Sequence, residues 1–176
     1  MEKKLIISTF LFLLFLGGVT LGSAAGQGRT EKPVIQDSFA AREINAYDTW
    51  KIYLKASDPN GKMRSIYAEV EQPGIGPYPL SITRLKANDQ KEFSGYVYLN
   101  SAGSNSPAFN YTVVKLTLWV KDAEGNFSEP VHFTTHLNNR YTQASPPAGR
   151  FAENELGPIM VILRTPFDSS KPFTIR

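Results

Sequence analysis

The chain of 176 residues contains no cysteine. That excludes disulfides, a thiol nucleophile and any thiolate metal site. Histidine is almost as scarce, with only His132 and His136. On a strand these two would share a face about 13 Å apart, too far to share a zinc ion bonded at about 2.0–2.1 Å. No charge of one sign dominates either: 19 Lys and Arg stand against 16 Asp and Glu, a net of +3. With no basic cluster, nothing argues for nucleic acid. A Gly-x-Ser-x-Gly nucleophile turn is missing, and Gly74-Ile75-Gly76-Pro77 has neither the Lys nor the following helix of a phosphate loop. The carboxylates are scattered rather than paired. These absences predict a protein that is not an enzyme, with no catalytic residues, no cofactor and no metal.

One long apolar run is present. Lys3 and Lys4 precede Leu5 to Leu16, and Gly17, Gly18 and Ser23-Ala24-Ala25 follow. This is the order of a secretory signal peptide, with cleavage expected after Ala25 and a mature chain starting at Gly26. The alternative is a retained anchor, since about 17 mostly apolar residues reach the short edge of a bilayer span. No cysteine adjoins the site, which excludes a lipoprotein. Without Glu2, Lys3 and Lys4 the charge counts fall from 19 and 16 to 17 and 15, a net of +2. The expected location is extracytoplasmic, periplasmic or secreted, with no membrane association after cleavage. Lack of disulfides in an exported chain points to a bacterial envelope.

From residue 33 onward the pattern is short alternating segments broken by Pro, Gly, Asn and Asp. Pro33 to Asp37 is the first expected strand. Trp50, Ile52, Leu54 and Ala56 then form an apolar face against Lys51, Tyr53 and Lys55, ending at the turn Asp58-Pro59-Asn60-Gly61. Further faces are Ile66, Ala68 and Val70; Leu80 and Ile82; Phe93, Val97 and Leu99; Val114, Leu116, Leu118 and Val120; and Val131, Phe133, Thr135 and Leu137. Strands with one wet face suit antiparallel sheets stacked as a sandwich. The expected layout is a signal peptide at 1–25, a disordered mature N-terminus at 26–32, a sandwich at 33–137, and a linker with a C-terminal strand at 138–176. That strand, Ile159-Met160-Val161-Ile162-Leu163, is apolar on both phases. Residues 159–165 are therefore predicted to pair with a sheet edge of the same chain, beside its first or last strand.

Two segments, Ile52-x-Leu54-x-Ala56-x-Asp58-x-x-Gly61 and Leu118-x-Val120-x-Asp122-x-x-Gly125-Asn126-x-Ser128, resemble bacterial Ig-like and fibronectin type III-like domains. The resemblance covers about residues 33–137. It implies an all-β, Ig-like antiparallel β-sandwich of about seven strands, with both turns at one end. Trp50 resembles the buried Trp of the second strand of such domains. The architecture hosts many unrelated roles, so function must come from a site.

Asp58 and Asp122 fall in turns, where Asp and Asn bond their own backbone, so calcium is not needed to explain them. The candidate ligand-binding residues are Tyr53, Tyr67, Tyr96, Tyr98 and Trp119, all on the outward phase of their strands. A fibronectin-like strand order sets Tyr53 beside Tyr96 or Tyr98, and Tyr67 beside Trp119, on opposite sheets. Such rings stabilise a sheet by cross-strand pairing, and exposed ones stack on sugars or anchor a protein. The function this supports is a non-catalytic exported module that binds or spaces envelope or surface components, either protein or polysaccharide. Alternatives are a carbohydrate-binding module using the aromatics and an assembly subunit exchanging a β-strand.

Overall fold

In a computed structural model, residues 31–101 and 109–164 are described. The expected signal peptide and the Gly26 start lie outside them. Ten strands occur among the described residues: β1 (Val34–Ala40), β2 (Glu43–Ile44), β3 (Thr49–Ser57), β4 (Met63–Gln72), β5 (Gly76–Pro77), β6 (Ser81–Arg84), β7 (Glu92–Asn100), β8 (Thr112–Asp122), β9 (Val131–Leu137) and β10 (Glu155–Ile159). One sheet has the order β1-β3-β7-β10. The other runs β2-β9-β8-β4-β5, with β6 also on β4. Period-2 burial makes the sandwich: Trp50, Ile52, Leu54, Ala56, Val97 and Leu99 from the first sheet meet Ile66, Val70, Leu116, Leu118 and Val120 from the second. Each large apolar side chain so buried contributes about 1.5–3 kcal/mol before entropy is counted.

The first strand runs further than expected, to Ala40, and the chain then switches sheets to form β2. Trp50 pins that corner, its Nε1 donating to the Ala41 carbonyl at 3.0 Å. Both Asp turns lie at one end of the sandwich, tied by the Ala123 N–H to the Lys62 carbonyl at 2.9 Å. Asp58 accepts the N–H groups of Asn60 and Lys62, and Asp122 those of Glu124 and Asn126.

Three expectations are corrected. The sheets are mixed rather than wholly antiparallel, because β2 pairs parallel to β9 and β10 parallel to β7. The C-terminal strand pairs within its own chain, but it spans Glu155–Ile159 beside β7, so of the expected segment only Ile159 joins the ladder. A long strap preceding it allows the parallel approach without a helix. Thirdly, the phase of β6 is reversed: Leu80 and Ile82 are exposed while Ser81 and Thr83 are buried. The C-terminal segment is the cause. Thr83 Oγ1 donates to the Pro158 carbonyl at 2.7 Å, and Ser81 Oγ accepts the Met160 N–H at 2.8 Å. Ile159, Val161 and Leu163 then complete the core between the two edges, leaving Met160 and Ile162 outside.

Candidate functional site

The outer faces of the two sheets differ in what covers them. On the first sheet Tyr53 stands opposite Tyr96, and Lys51 opposite Tyr98. Ring centroids are 5.5 Å apart for Tyr53 and Tyr96 and 6.5 Å for Tyr96 and Tyr98, with Phe39 added at 6.4 Å from Tyr53. The strap of residues 142–154 crosses this face. Its Phe151 ring lies 5.8 Å from Tyr53, and its Glu153 takes a hydrogen bond from the Tyr53 hydroxyl at 2.9 Å. Tyr53, on an outward phase, is thereby buried to 5% exposure.

Polar contacts fix the strap at four further residues. Where β1 departs, the Gln143 amide accepts the Lys51 N–H at 3.0 Å and donates to the Thr49 carbonyl at 3.1 Å. Arg150 forks onto the Asp37 carboxylate. Ala152 N–H reaches Ser94 Oγ at 2.9 Å, and Tyr96 N–H reaches the Asn154 carbonyl at 2.8 Å. Burial, then the bond to Glu153, raises the Tyr53 pKa. Burial pulls the Lys51 ammonium down, but the Glu153 carboxylate and the neighbouring phenols outweigh it, and its pKa rises. The Tyr53 ring is thus committed to holding the strap, while Tyr96 and Tyr98 stay half-buried beside it.

On the second sheet the register sets Ile82, Tyr67 and Trp119 side by side across β6, β4 and β8. Phe127, which is not among the sequence candidates, meets Tyr67 edge-on with centroids 5.3 Å apart and an interplanar angle of 76°. Its only sequence signal is its place just after the Asp122 turn. The Lys121 ammonium lies 5.0 Å from the Phe127 centroid and 5.5 Å from that of Tyr67. Tyr67 and Trp119 are half-buried and Phe127 is exposed. The structure thus gathers the five candidate aromatics into two groups on opposite faces, and of the five Tyr53 alone is buried beneath the strap.

Elsewhere, a groove of about 970 Å³ lies beside the sheet switch, lined by Phe39, Arg42, Glu43, His132 and His136 among others. Both histidines are exposed, and His132 Nδ1 lies 3.0 Å from Thr117 Oγ1. Among the described residues no group of three or more His, Asp or Glu is placed to hold a metal ion. No helix among them is long and apolar enough to cross a membrane.

No family model matches the chain, and no curated protein matches it. Among solved structures the chain is similar to the CARDB domain of a Pyrococcus furiosus protein, a domain solved in complex with di-metal ions. The TM-score is 0.34 and the identity 10%, over 62% of this chain and 94% of that one. The fold itself is an all-β, Ig-like β-sandwich with a C-terminal extra strand.

Proposed function

We propose that the protein is an exported, non-catalytic Ig-like module of the fibronectin type III-like kind, which binds or spaces other components of the cell envelope or surface. Its docking face is the outer face of the six-stranded sheet. One observation carries this reading: Tyr67, Trp119 and Phe127 cluster on a face that no described segment crosses, whereas on the other sheet Phe151 and Glu153 close over Tyr53. Uncovered aromatics on a rigid sheet are the residue type that anchors a partner at low entropic cost. A polysaccharide is the second reading, favoured by the same open rings. Strand exchange is less well supported, because β10 is occupied by β7 of its own chain.

The test is a photo-crosslinking amino acid placed at Trp119 and, as a control, at Lys55 on the opposite sheet, in cells that export the protein. A discrete adduct from position 119 alone supports the reading. Adducts from both positions, or from neither, refute it. Intact mass of the same exported protein tests the Gly26 start.

A further inference from the structure

One end of the open face is strongly cationic. Arg84 on β6 and Lys121 on β8 both stand in register with Ser65 on β4, and Arg64 occupies the bulge beside Ser65. Arg64, Arg84 and Lys121 line one cavity of about 370 Å³ together with Tyr67 and Ile82. Neighbouring strands lie about 4.8 Å apart, so the row Arg84–Arg64–Lys121 spans roughly 10 Å across the strands.

Two acids border the cavity, and both are already engaged. Asp122 is buried, with its carboxylate accepting from the Glu124 N–H at 2.9 Å, the Asn126 N–H at 2.8 Å and Asn126 Nδ2 at 2.8 Å. Glu124 is paired with Lys62. None of Arg64, Arg84 and Lys121 has a carboxylate within ion-pair distance among the described residues. Three cations without a carboxylate partner therefore line the cavity beside the Tyr67–Phe127 ring pair, the Lys121 ammonium lying over both rings. At the far end of the face the sign changes, with Glu69 exposed and Glu71 paired to Lys115.

We infer that this end of the face binds an acidic polysaccharide, with its carboxylates on Arg64, Arg84 and Lys121 and a sugar ring packed on Tyr67. The inference rests on the docking-face reading and narrows it to a ligand class. Guanidinium groups fork onto carboxylates, and the apolar face of a pyranose packs against a flat ring. A peptide is the poorer fit. Its backbone seeks a sheet edge, and here the N–H and C=O groups of β4 are already paired with β6 and β8. The ligand runs across the strands, along the cation row, because a polyanion lying along them would meet Glu69.

The experiment is affinity electrophoresis and calorimetry of the mature chain with polygalacturonate, alginate and hyaluronate as probes. Neutral dextran, poly-glutamate and phosphatidylglycerol vesicles are the comparisons. Saturable binding of at least one uronate polymer is expected, weakening with salt. Arg84→Gln, Lys121→Gln and Tyr67→Ala should each weaken it about tenfold, while Lys115→Gln leaves it unchanged. Melting curves confirm that each variant is folded, and Arg64→Gln replaces any that is not. The inference is overturned by several results: no uronate binding, equal binding of poly-glutamate or of vesicles, or binding that the cavity variants leave intact. If uronates fail but position 119 still crosslinks, the docking face stands and the ligand class is wrong. If both fail, the docking face falls too.

Discussion

The carbonyl oxygen of Asn154 lies 2.3 Å from where a side-chain carbon on Gly95 would stand. That contact lets the strap reach the β7 edge, where the same oxygen accepts the Tyr96 N–H at 2.8 Å. Gly95→Ala should push the strap away and uncover Tyr53. Forced overpacking of this kind costs about 1–3 kcal/mol. Limited proteolysis should cut the 142–154 segment faster in the variant, with a lower melting temperature. Unchanged cleavage would show that the strap is not held there.

Removing the strap and β10 altogether is the harsher case. Truncation after Asn139 takes Leu156, Ile159, Val161 and Leu163 from the core and bares the β7 edge, an invitation to edge pairing. The truncated protein should be less stable to urea and should self-associate on gel filtration. A truncated protein as stable as its parent that loses a native oligomer would make the tail an assembly strand instead.

The two tryptophans separate core from face. Trp50 is 1% exposed, so Trp50→Ala should cost about 3–5 kcal/mol. Trp119→Ala should cost much less, nearer the ~0.2–1 kcal/mol of a cross-strand pair. Urea titration of both variants checks this, and similar losses would contradict the assignment.

Those phases were legible because burial on a strand repeats every second residue, and in β3, β4, β7 and β8 the apolar set falls on one phase. The phase of β6 was not legible. Its inward Ser81 and Thr83 serve the backbone of a segment almost eighty positions later, and no local pattern records such a partner. The candidate aromatics are legible by phase alone for the same reason. That Tyr53 is buried despite its outward phase depends on Phe151 and Glu153, about a hundred residues away.

The C-terminal segment should also respond to alkali. Tyr78 donates to Gln72 Oε1 at 2.6 Å and accepts the Arg164 N–H at 2.8 Å. Burial raises its pKa, with the Arg164 backbone and charge pulling partly back. An unfolded tyrosine titrates near about 10. The stability Tyr78 adds is therefore full below that pH and is lost as pH rises through its higher folded value. The melting-temperature gap between the parent and Tyr78→Phe should narrow as pH climbs past about 10. A gap constant into strong alkali would contradict this.

The proposal comes down to a contrast between Tyr53, spent on holding the strap, and Tyr67 with Trp119, which meet a partner. Its most direct test compares Tyr67→Ala/Trp119→Ala with Tyr53→Ala for both melting temperature and the fraction of exported protein retained on isolated envelopes. The account predicts that the first variant melts close to the parent and loses envelope retention. The second should melt lower and, where still folded, keep its retention. Retention that survives loss of both Tyr67 and Trp119 would contradict the account.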